Sequence, residues 1–83
     1  VESRRLLKPL KTAMEKAELA MNQSILARQK LEDRMANPDL YQAEAKERLD
    51  ALLSERARLE QSIAEHENRW LEASEALEAA SLE

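Results

Sequence analysis

Met35-Ala36-Asn37-Pro38-Asp39-Leu40-Tyr41 is the one interruption in an otherwise helical pattern, and its reading decides the fold. Pro38 has no N–H to donate and pushes Asn37 out of the α-helical region, so a helix arriving from upstream ends here. Asn37 then either closes that helix or caps a short turn begun by Pro38. The flanks read as helix 1, about 2–36, and helix 2, about 43–82, joined by a turn at about 37–42. Leu40 and Tyr41 lie in the turn, outside any helical face. Tyr41 either closes over the tip with Leu40 or, with it, contacts a partner there.

Working outward, each flank carries a seam with alternating steps of three and four. Helix 1 gives Leu7, Leu10, Met14, Ala17, Met21, Ser24, Arg28, Leu31 and Met35. Helix 2 gives Ala45, Leu49, Leu52, Arg56, Leu59, Ile63, His66, Trp70, Ala73, Leu77 and Ala80. Two apolar seams, one break and no other core predict an all-α fold, an antiparallel two-helix coiled-coil hairpin. The register that follows sets Leu31 opposite Leu49, Ala17 opposite Ile63, Met14 opposite His66 and Leu10 opposite Trp70. Ser24, Arg28 and Arg56 interrupt the seam. They read as a stutter, with Ile25 turning in and the arginine stems lying along the surface, or as a polar layer that fixes register. Pro9 costs a helix roughly 3 kcal/mol in its interior. It is expected to bend or start helix 1 and leave residues 1–8 as a frayed or kinked entry.

Composition excludes most chemistry. Ala, Glu, Lys, Leu and Arg supply 55 of the 83 residues, a share typical of long helices. There is no Gly for a phosphate loop, and no Cys and one His, which removes zinc clusters, disulfides and Ser-His or Cys-His catalysis. His66 stands between Glu65 and Glu67, but neighbours on a helix point to different faces, so it reads as a seam residue. Trp70 reads as the anchor of the end far from the turn, or as a partner contact. No apolar run approaches the ~20 residues of a membrane span. A chain without Cys fits the cytoplasm. It opens on Val1 and is read as a piece of a longer protein.

The net charge of −4 hides a gradient. Residues 1–30 hold seven basic and three acidic side chains, residues 31–60 five and eight, and residues 61–83 one and six. The basic cluster Arg4, Arg5, Lys8, Lys11 and Lys16 is what phosphate binding requires. Antiparallel folding brings it near Glu67, Glu72, Glu75 and Glu78, so it is either matched internally or free for phosphates. Leu19 and Leu26, seven apart and off the seam, are either ordinary exposed leucines or a docking or self-association stripe. The thin core leaves room for a weak homodimer at high concentration.

Several stretches resemble a known family. Ala36-Asn37-Pro38-Asp39-Leu40-Tyr41 looks like the tip of the C-terminal coiled-coil domain of bacterial ABC-F ATP-binding cassette proteins of the YheS/Uup-like branch. Asn68-Arg69-Trp70-Leu71-Glu72-Ala73 is similar to a stretch near the end of that domain, and Lys8-Pro9-Leu10-Lys11 to its start. The resemblance covers residues 7–82. It implies the C-terminal fragment of an ATPase whose own cassettes hold ATP and Mg, with no cofactor in this segment. It further implies a non-catalytic arm that contacts nucleic acid (ribosomal RNA, tRNA or DNA) or the ribosome and modulates the parent ATPase. Arg4, Arg5, Lys8 and Lys11 are the expected nucleic-acid contacts, and Leu40 and Tyr41 the expected tip contacts. Two rivals share the architecture: the tRNA-binding coiled-coil arm of an aminoacyl-tRNA synthetase, and a purely structural protein–protein hairpin.

Overall fold

The computed structural model describes the backbone of residues 2–82 and the side chains of residues 5–82. Helix α1 (Glu2–Met35) has 34 residues and α2 (Lys46–Ser81) has 36. Both are built from the strongest helix formers, and neither contains Gly. They pack as an all-α antiparallel hairpin with principal extents of 64 × 14 × 14 Å.

The reversal is made without any positive-φ residue among those described. Asn37 is extended (φ −68°, ψ 118°), as a residue before proline must be, and its Oδ1 accepts from the Asp39 N–H at 3.0 Å. Pro38–Tyr41 forms one 3₁₀ turn and Ala43–Ala45 a second, so α2 proper begins at Lys46, three residues after the expected start. The last carbonyls of α1 find specific partners. Asn37 N–H bonds to the Arg34 carbonyl at 3.3 Å, replacing the donor that Pro38 lacks. The Asp39 N–H, which would serve Met35 in a continuing helix, is engaged by Asn37. The Tyr41 hydroxyl donates to the Met35 carbonyl instead, at 3.0 Å. Tyr41→Phe should therefore lower stability by about 1 kcal/mol in urea denaturation while preserving the ring. No change in the midpoint would mean that water serves the carbonyl equally well.

All of the seam residues expected from the heptads are buried or half-buried among the described side chains. The core is densest at the closed end. Leu31, Met35, Leu40 and Leu52 form one buried cluster, with Leu49 and Leu59 packed against it. Toward the open end the buried seam residues are Ala17 and Ala73, while Trp70, His66 and Met14 stay half-buried. Packing across the seam reaches beyond the directly opposed residues. Leu31 clusters with Leu52 as well as Leu49, and Ala17 shares a groove with His66.

Two expectations need correction or choice. Helix α1 is already helical at Glu2 and runs through Pro9, rather than starting there or leaving a frayed entry. The proline removes the hydrogen bond to the Arg5 carbonyl. Both residues are exposed, so water can serve that carbonyl, while Leu7 and Leu10 hold the seam on either side. At the polar break Ser24, Ile25, Arg28 and Arg56 are all half-buried, and the Arg28 Nε is shielded from solvent without a hydrogen-bond partner. Arg28 Nε lies 3.3 Å from Glu32 Oε1, and Arg56 Nε lies 3.9 Å from Glu60 Oε1, each one turn along its own helix. The strict seam therefore continues through Ser24, Arg28 and Arg56, with each arginine paired along its own helix.

Candidate nucleic-acid interface

Arg5, Lys8 and Lys11 are exposed on α1, each three residues from the next, and so lie along one flank of the helix. The side chain of Arg4 lies outside the described residues. The acidic stretch of α2 does not neutralise this cluster by direct contact. Among the described side chains the ion pairs are the two within single helices, and none joins Arg5, Lys8, Lys11 or Lys16 to Glu67, Glu72, Glu75 or Glu78. Lys11 and Glu67, and Glu32 and Lys46, also form no ion pair across the helices. Charge matching here is diffuse and screened by solvent, and leaves the ammonium and guanidinium heads able to meet phosphates.

The two tip residues part company. Leu40 is 4% exposed and belongs to the internal cluster, so its side chain has almost no surface for a partner. Tyr41 is 64% exposed, with its hydroxyl tethered to α1 and its ring outward. At the tip it is the Tyr41 ring that presents surface, beside a shallow groove of about 220 Å³ that Gln42, Ala43 and Lys46 also line.

Heptad lettering places the remaining charges. With Leu7 and Leu49 at a, and Leu10 and Leu52 at d, positions e and b lie to one side of the seam and g and c to the other. Two grooves between the helices open on the g/c side. One, of about 580 Å³ near the tip, is lined by Arg34 and Arg48 with Asp33, Asn37, Leu52 and Glu55. The other, of about 420 Å³ toward the open end, is lined by Ala13, Lys16, Ala17, Ala20, His66 and Arg69. Lys8 and Lys11 fall on the opposite side.

Neither a family model, nor a curated protein, nor a solved structure matches the chain. The chemistry must be read from the side chains themselves. Among the described residues no group of three His, Asp or Glu side chains is arranged to hold a metal ion, and no helix is long and apolar enough to cross a membrane. His66 lines a groove between helices with Arg69 and Lys16 as its polar neighbours there. What the arrangement offers is long cationic side chains on a narrow rod, suited to contacts with phosphate oxygens. Sequence reasoning found the contiguous cluster at the start of α1. It named Lys16 but missed Lys30, Arg34, Arg48, Arg58 and Arg69, which the fold gathers with it onto the g/c side, because they are dispersed from residue 30 to residue 69.

Proposed function

We propose that the hairpin is a non-catalytic arm that carries nucleic-acid contacts away from the body of a larger ATPase of the ABC-F type. The observation that carries this reading is a rod 64 Å long with exposed Arg5, Lys8 and Lys11 at one end, none of them held in an ion pair among the described side chains. Such an arm, working in the cytoplasm, would place backbone-binding cations on ribosomal RNA, tRNA or DNA while the chain's other cassettes bind ATP and Mg. The contacts would read phosphates, not sequence, since only Trp70 and Tyr41 are aromatic and Trp70 is half-buried on the seam.

Replacing Arg4, Arg5, Lys8 and Lys11 by Glu should weaken retention of RNA and DNA at low salt at least tenfold. The salt slope should become shallower in that variant by about 3 to 4, if those four cations each neutralise one phosphate. Unchanged retention in the variant would remove the cluster from the interface. A second reading, a protein–protein hairpin, draws on the exposed Leu19 and Leu26 and on the net charge of −4. It requires no salt-dependent nucleic-acid binding at all.

A further inference from the structure

The two sides of the hairpin differ in charge. Among the described side chains, the e and b positions of the two helices carry three basic residues, Lys8, Lys11 and Lys46, against seven acidic ones. The g and c positions carry six basic residues, Lys16, Lys30, Arg34, Arg48, Arg58 and Arg69, against Glu55, Glu65 and Glu72. The α1 half of the g/c side has no acidic residue among those described. Its floor is low, because Ala13, Ala20 and Ala27 occupy successive g positions.

Within the two grooves, cations of the two helices share one opening: Lys16 with Arg69, and Arg34 with Arg48. None of the four forms an ion pair with a described side chain. In an antiparallel coiled coil these flanking positions ordinarily carry complementary charges, and facing like charges cost a few tenths of a kcal/mol each. Like charges here do nothing for hairpin packing. An anion lying between them would turn that repulsion into attraction.

We propose that the g/c side is a second phosphate-binding surface, which lies along the sugar–phosphate backbone of a nucleic-acid duplex. Lys16 and Arg69 hold one stretch of phosphates, and Arg34 and Arg48 hold another. The inference rests on the nucleic-acid reading above and adds a distinct surface and a class of ligand to it. Three features favour a duplex. The side carries no aromatic residue, so it has no platform for stacking unpaired bases. The alanine floor lets a backbone approach the helices closely, with arginines able to grip phosphate oxygens in pairs from either edge. The two cation pairs lie 18 residues apart on α1, which at the helical rise is about 27 Å, on the order of one duplex turn.

The test compares binding of labelled RNA duplex, DNA duplex and single strand of equal length by fluorescence anisotropy, at 50 and 200 mM salt. The proteins are the wild type, the variant K16E/R34E/R48E/R69E, its milder form K16Q/R34Q/R48Q/R69Q, and the cluster variant R4E/R5E/K8E/K11E. The Glu variant should lose at least tenfold in duplex affinity at low salt, and the Gln variant should lose less. The salt slope should become shallower by up to about 3.6, from four phosphate contacts at roughly 0.9 each. Circular dichroism checks folding, and the Gln variant decides the matter if the Glu variant unfolds. Unchanged duplex affinity and slope in these variants, with loss only in the cluster variant, would overturn the second surface and leave the arm reading intact. Equal wild-type affinity for single strand and duplex would overturn the duplex assignment. No wild-type binding at 50 mM salt would overturn both the surface and the reading on which it rests.

Discussion

Leu31→Ala is expected to unfold the hairpin at temperatures where the wild type is folded. Leu31 is 3% exposed and sits in the buried cluster with Met35, Leu40 and Leu52. Truncating a buried leucine costs about 2–5 kcal/mol, part from lost transfer energy and part from the cavity left behind. A chain of this size with so thin a core has a total stability of only a few kcal/mol. The loss should appear as a fall in the thermal midpoint of at least about 10 °C, followed by circular dichroism at 222 nm. The control is Leu19→Ala, at a residue 59% exposed on the outer face of α1. That change should stay within about 0.5 kcal/mol of the wild type. Comparable shifts in the two variants would mean that the closed-end cluster does not carry the fold. A Leu19→Ala shift that grows with protein concentration would identify Leu19 as part of a contact between copies.

The contrast between Leu31 and Leu19 is also where the sequence was most informative. Both are leucines in one helix, and only the steps of three and four separate them. The same periodicity placed Ser24, Arg28, Arg56 and His66 at least partly inside, although none is apolar. The break was legible for a local reason: Pro38 removes a donor and restricts Asn37, whatever surrounds them. At Pro9 the same local rule overreached in one respect: the helix does not start there but runs through it from Glu2. Its missing hydrogen bond is real, but Leu7 and Leu10 are half-buried on the seam on either side of it, and the exposed Arg5 carbonyl can turn to water.

The details of the tip were less accessible. Nothing local says that Leu40 turns inward while the Tyr41 ring turns out. That outcome depends on the Met35 carbonyl needing a donor, and on the gap between Leu31, Met35 and Leu52 needing a side chain. The candidate interface was partly legible for the same kind of reason. A run such as Arg4, Arg5, Lys8 and Lys11 is visible in one dimension. The pairs Lys16 with Arg69 and Arg34 with Arg48 exist only once the register of two antiparallel helices is fixed, and a shift of one seam step would have paired them differently.

The open end should respond most strongly to Trp70. The indole is half-buried on the seam, and its Nε1–H is shielded from solvent without an acceptor. With Ala17 and Ala73 as the buried residues in this half, Trp70 is the largest side chain on the seam there, beside half-buried Leu10, Met14, Ile63 and Leu77. Trp70→Ala should therefore cost about 3 kcal/mol. Trp70→Phe should cost clearly less, because removing an unpaired donor offsets part of the lost ring area. Hydrogen exchange should locate the damage. In the Ala variant, protection should fall around residues 10–20 and 63–77, while the segments around Leu31 and Leu52 keep theirs, as expected when local stability follows buried apolar contacts. A Phe variant as unstable as the Ala variant would show that the indole N–H has a partner after all. Equal loss of protection at both ends would show that the hairpin melts as one unit, with the closed-end cluster unable to stand without the tryptophan.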